Sequence, residues 1–179
     1  PHRAGLIPAT EQYVEALYKW TREHGVLLAF DEVVTYRAHY SGAQESYKFK
    51  PDLTALGKII GGGFPIGALA GRSDIMEVLN PRSKILKHPH SGTFSANPIS
   101  TTAGYTAMKL FDQQAVLDLN NLTSIAKSQI QEAIKIADIP ACVTGEGSMF
   151  RIHLQETAPA NARETYQDTK IKSIINDLL

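Results

Sequence analysis

Stretches in which apolar residues recur every three or four positions alternate along the chain with short stretches that are apolar throughout, the pattern of helices interleaved with strands. Val14, Leu17 and Tyr18 share one helical face, Thr10 stands where an N-cap belongs, and Gly25 supplies a stop. Val26 to Phe30 follows without a polar residue. This predicts a parallel strand covered on both faces, with Asp31 as a buried carboxylate at its carboxyl end, where open α/β sheets place ligands. Residues 35–50 are polar and aromatic without a period and read as an active-site loop with one helical turn. Asp52 to Leu56 and Gly67 to Gly71 read as two more strands, and the short glycine-rich link at 61–63 suits neighbours running in opposite directions.

Ser73 or Asp74 is placed to cap a short helix through Val78, with a loop from Asn80 to His90. Pro98 to Asp112 carries Ile99, Ala103, Ala107, Leu110 and Phe111 on one helical face. Gln113 to Ala137 repeats Val116, Leu119, Leu122, Ala126, Ile130, Ala133 and Ile134, and both stripes are expected to face a core. Gly145-Glu-Gly147 turns into a strand over Met149 to Leu154, and Ile171, Ile174, Ile175 and Leu178 predict a terminal helix. The fold class is α/β, divided near Asp112 into residues 1–112 and 113–179.

Composition narrows the function classes. A chain of 179 residues, 43% hydrophobic and 20% charged, can bury roughly 70% of its unfolded surface. Eighteen basic residues balance eighteen acidic ones, so no net field draws the chain to nucleic acid or to an anionic membrane, and no apolar run reaches membrane-spanning length. The lone Cys142 cannot form an internal disulfide and the start lacks a signal-peptide pattern, which points to a reducing cytoplasm. Asn121-Leu-Thr123 matches a glycosylation acceptor but falls inside a helical pattern. The chain opens in a loop-like Pro/Gly segment without an initiator methionine and stops within an amphipathic pattern, as a fragment would.

The candidate chemistry centres on Lys58, in Leu53-Thr-Ala-Leu-Gly-Lys-Ile-Ile-Gly-Gly-Gly-Phe-Pro-Ile-Gly67, and on Asp31, in Leu27-Leu-Ala-Phe-Asp-Glu-Val33. A lysine beside glycines can approach a cofactor aldehyde, and a carboxylate can hold the ring-nitrogen proton that makes pyridoxal phosphate an electron sink. At about 4 Å and an effective dielectric near 20 that attraction is on the order of 4 kcal/mol. Ser91-Gly-Thr-Phe-Ser-Ala-Asn-Pro98 is a small-residue turn whose amides, with the Thr93 hydroxyl, can bind a phosphate dianion.

Together these three motifs resemble the class III aminotransferases of the fold type I pyridoxal phosphate enzymes, nearest to glutamate-1-semialdehyde aminomutases and β-amino-acid aminotransferases, over about Gly5 to Leu154. The resemblance implies part of a large mixed-sheet α/β/α domain followed by the start of a smaller α+β domain. It makes Lys58 the Schiff-base lysine and Asp31 the ring-nitrogen partner, with Val33 against one ring face. It also implies an obligate homodimer, in which Gly92 and Thr93 reach the cofactor phosphate of the neighbouring subunit, and a small-molecule amino donor and carbonyl acceptor as substrates. Val33-Val-Thr-Tyr-Arg37 is one residue shorter than the corresponding aminomutase loop and looks closer to the β-amino-acid aminotransferases. The family's other phosphate-binding turn and its ring-stacking aromatic are expected upstream of Pro1.

Several residues keep two readings. Glu32 either orients the loop or a cofactor oxygen, or caps a helix or sits at the surface. Arg37 is a candidate for a substrate carboxylate or for a structural salt bridge. Tyr36 and Gln44 line a substrate pocket or simply pack, and Glu146 reads as a turn residue. His88 and His90 lack the carboxylate or cysteine that would complete a metal site. Two rival readings remain: a phosphate-binding module built on Gly61-Gly-Gly63, which lacks the Walker and dinucleotide patterns, and a catalytically incomplete fragment.

Overall fold

The computed structural model describes residues 5–85 and 87–165, so the terminal helix expected from Ile171 onward lies outside the described residues. Two compact units are present: Thr10–Ala115, and the described residues of Pro1–Ala9 with Val116–Leu179.

In the first unit, α1 (Glu11–Glu23) starts as expected, with Thr10 Oγ1 accepting the Tyr13 amide at 3.3 Å. Gly25, at φ +62°, closes it: the Val26 amide reaches back to Thr21 O at 2.9 Å and the Gly25 amide to Arg22 O, a Schellman motif. The first strand is shorter than its apolar run. β1 is Ala29–Asp31, Leu28 is buried, and Val26 and Leu27 are exposed because they form the turn out of α1 and do not join the sheet. β2 (Leu53–Gly57) pairs with β1 in parallel, Asp31 opposite Ala55, and β3 (Gly67–Gly71) pairs with β2 antiparallel, Gly57 opposite Gly67. The mixed three-stranded sheet therefore has the directions expected from the short 61–63 link. The loop at 35–50 holds two 3-10 turns, Thr35–Arg37 and Ala43–Ser46.

One buried carboxylate ties this unit together. Asp52 is only 2% exposed. It accepts Arg22 Nη1 at 2.9 Å, the Leu28 amide at 2.7 Å and Arg72 Nη1 at 2.7 Å, with a second short contact from Arg22 Nη2. The last turn of α1, the approach to β1, the start of β2 and the end of β3 thus converge on one charge. The Arg22 guanidinium, helped by the Leu28 amide and Arg72, holds the Asp52 carboxyl well below the usual carboxylate range against the opposing effect of burial.

Beyond β3, α2 (Ser73–Met76) is preceded by Arg72 at the N-cap position, with no side-chain cap; the expected cap residues fall inside the helix, and Asp74 pairs with Arg72 instead, at 2.6 Å. α3 (Pro98–Leu110) is capped by Asn97 and departs from the sequence pattern. Its buried positions are Ser100 and Gly104, while Ile99 and Leu110 are 62% and 75% exposed. The expected apolar stripe is not the packed face, because the packed face meets backbone and needs small residues.

The second unit contains most of α4 (Gln113–Ile136), whose inward stripe is Val116, Leu119, Thr123, Ala126, Ile130 and Ile134; Leu122 and Ala133, expected in that stripe, are exposed. β4 (Cys142–Thr144) has no counterpart among the expected strands, and it pairs antiparallel with β5 (Arg151–His153) across the Gly145–Gly147 turn. His153 is fully buried, its Nε2 lying 2.8 Å from Thr144 Oγ1 and 3.0 Å from Gly5 O while Nδ1 has no partner. Burial pushes its pKa down.

Two stability predictions follow from these buried groups. Asp52→Ala leaves two arginines facing a desolvated amide and should cost about 3 kcal/mol, read as a lower midpoint in urea. For His153 the unfolded chain takes up a proton before the folded one does, so stability should fall as pH drops below about 6.5. His153→Gln should flatten that dependence of Tm on pH, and an unchanged slope would remove His153 as its source.

Candidate active site

The parallel pairing of β1 and β2 places Asp31 and Gly57 at the same edge of the sheet, with Gly57 two residues beyond Ala55, the partner of Asp31. Lys58 is the next residue and opens a 3-10 turn, Lys58–Gly61. Val33 joins the two strand ends: its Cγ1 lies 3.3 Å from the position a Cβ on Gly57 would take. Asp31, Val33 and Lys58 are therefore gathered at the carboxyl end of two adjacent strands, the ligand-binding edge of an open α/β sheet.

Both charged groups are exposed, which corrects the expectation of a buried Asp31. Successive residues at a strand end face opposite ways. The buried acid is the next residue, Glu32, only 1% exposed. Asp31 Oδ1 accepts the Val33 amide at 3.0 Å. Among the described residues Lys58 Nζ has no hydrogen bond or ion pair. The Lys58 backbone is left-handed, at φ +51°, a conformation that costs a non-glycine residue on the order of 1–2 kcal/mol.

Glu32 resolves its two readings in favour of the loop. Its carboxylate accepts the Gln44 amide at 2.7 Å, the Ala43 amide at 3.1 Å and a short bond from the Thr35 hydroxyl. Those three bonds pin both 3-10 turns of the 35–46 loop beside Asp31. Tyr36, Arg37 and Gln44 ride on this loop, and all three are half-buried.

The third motif lies in the loop before α3. Gly92 and Thr93 lie in an exposed turn closed by the Ser95 amide on Gly92 O at 3.0 Å. Asn97 Oδ1 accepts the Ile99 and Ser100 amides, so the first free amides of α3 are already taken, leaving the turn itself as the donor-bearing element. His88 and His90 are exposed, and among the described residues no group of three or more His, Cys, Asp or Glu is arranged to hold a metal ion. No helix of the described residues is long and apolar enough to cross a membrane. Sequence reasoning missed the Asp52 hub and Gly104 of α3; neither a strand-leading Asp nor a helical Gly carries a distinctive local pattern.

This arrangement is that of the fold type I transaminases. The chain superposes on an omega-transaminase from Sphaerobacter thermophilus with TM-score 0.94 and 38% identity, covering 98% of this chain and 40% of that one. It also superposes on a β-phenylalanine aminotransferase from Variovorax paradoxus with TM-score 0.89 and 30% identity, covering 96% and 40%. It is 41% identical over 150 residues to a glutamate-1-semialdehyde 2,1-aminomutase of Methanothermobacter thermautotrophicus, covering 83% of this chain and 35% of that protein. The aminotransferase class-III family model matches residues 2–176. The chain belongs to the class III aminotransferase family, and it spans well under half the length of these relatives.

Removing the loop anchor gives a direct check on this site. Glu32→Ala should raise the amide exchange of Ala43 and Gln44 by about tenfold or more, since the loss of these charge-assisted bonds costs about 1.5–3 kcal/mol. Unchanged protection would mean that the loop is held by other contacts.

Proposed function

We propose that the protein containing this chain transfers an amino group between an amino acid or amine and a carbonyl acceptor, with pyridoxal 5'-phosphate as cofactor. The observation that carries this reading is the Lys58 amine, exposed and without a partner among the described residues, on a left-handed backbone at the strand edge that also presents Asp31. The donor set fits the cofactor: a primary amine for the aldehyde, an accessible carboxylate for the ring nitrogen, and the Val33 side chain for one ring face. When bound, pyridoxal phosphate supplies a carbonyl that captures the substrate amine and a protonated ring that accepts electron density.

The chain's own residues do the rest. Asp31 holds the proton on the ring nitrogen through its negative charge. With the cofactor in place, Lys58 Nζ would move a proton to and from the substrate carbon. Glu32 keeps the 35–46 loop in place, and Arg37 on that loop is a candidate for the substrate carboxylate. The exposed Gly92–Thr93 turn serves the cofactor phosphate of a neighbouring subunit in a homodimer. Residues 1–112 belong to the large cofactor domain and 113–179 begin the smaller one. A reducing cytoplasm accords with the single thiol, Cys142, whose pKa is pushed up by burial. The names of the superposed transaminases support intermolecular transfer, and the 41% identical aminomutase supports a second reading, amino migration within glutamate 1-semialdehyde.

In the full-length protein, Lys58→Ala should abolish both turnover and the borohydride-trapped attachment of pyridoxal phosphate. Asp31→Asn should keep the attachment and lower turnover on the order of a hundredfold or more. Assays with a panel of amino donors plus 2-oxoglutarate, and separately with glutamate 1-semialdehyde, distinguish the two readings. Retained turnover in Lys58→Ala would reject both.

A further inference from the structure

The segment that follows Lys58 is pressed against α3 with no room for a side chain between them. A Cβ built on Gly104 would stand 2.0 Å from Ile60 O and 3.3 Å from Gly61 Cα. The contact is reciprocal: a Cβ on Gly62 would stand 2.4 Å from Ala103 O. One turn earlier along α3, the buried Ser100 donates its hydroxyl to Pro65 O at 2.8 Å. The pressed segment is itself tightly wound, with the Gly62 amide on Ile59 O at 3.1 Å and the Phe64 amide on Gly61 O at 3.0 Å. A displacement at Ile60 is therefore carried back along two residues to Lys58, whose left-handed φ of +51° is held against its own preference.

We propose that Gly104 is a positioning residue for Lys58: by letting the α3 backbone meet Ile60 O directly, it fixes the conformation from which the lysine side chain leaves β2. This inference rests on the cofactor role of Lys58. The hydroxyl of Ser100 acts in the same sense from the far side of the turn. Any β-carbon at 104 must push Ile60 away by roughly an ångström, and a shift of that size at a reacting group costs about a hundredfold in rate.

The test uses the full-length protein with added pyridoxal phosphate. Its readouts are the rate of borohydride-trapped attachment at Lys58, the pH midpoint of the cofactor's visible absorption, and Tm. Gly104→Ala should slow attachment by about a hundredfold and move the absorption midpoint. Val116→Ala, a core truncation in the other unit, should lower Tm while leaving both unchanged. Wild-type attachment rate and midpoint in Gly104→Ala would overturn the inference and leave the proposed function standing. Should Gly104→Ala fail to fold, Ser100→Ala decides, because it removes one hydrogen bond without adding volume. A several-fold slower attachment with a moved midpoint supports the inference, and unchanged values overturn it. Failure of the wild-type protein to attach cofactor at Lys58 would overturn this inference and the proposed function together.

Discussion

The structure of the first unit depends on a charge at the far end of the strands from Asp31 and Lys58. Asp52 sits at the amino end of β2, where two arginines and a backbone amide surround it, and through those bonds α1, β1, β2 and β3 share a fixed origin. Burying a carboxylate is unfavourable unless its partners are already in place, so the assembly of these four elements is cooperative around it. From that origin β1 and β2 run to the opposite edge, where Asp31 and Lys58 are exposed. The same short strand thus has a buried, paired charge at one end and an exposed one just past the other.

Near the site, three acids and bases in a span of 28 positions have separate duties that follow from exposure. Glu32 is enclosed by donors and holds backbone, whereas Asp31 and Lys58 face outward and keep their capacity for a ligand. The strain at Lys58 is consistent with this division. A left-handed lysine persists only where its surroundings fix it, and the segment that follows it, Ile60 and Gly61, is pressed against the α3 backbone at Gly104.

Much of this was legible in the sequence because it rests on local rules. Thr10, Gly25 and the 61–63 link specified a cap, a stop and an antiparallel return, and all three are present. The gathering of Asp31, Val33 and Lys58 at one sheet edge follows from the order of strands and charges. What pattern could not give is which neighbour each residue meets. Burial of Glu32 in place of Asp31 depends on a one-residue phase at a strand end. The inward face of α3 depends on a backbone contact that selects against size, so the more hydrophobic stripe misleads. β4 escaped notice because Cys142-Val-Thr144 is too short for any period to register.

The outward apolar side chains of α3 and α4 have a practical meaning. Ile99 and Leu110 on one helix, and Leu117, Leu122 and Ile125 on the other, give each of them greasy surface beyond the stripe it packs inward. Polypeptides with such helices are poorly behaved colloids when produced alone: they associate through these faces, and excluded salts such as sulfate drive them out of solution sooner than a well-covered domain. Buffers free of sulfate therefore suit the purification of these 179 residues.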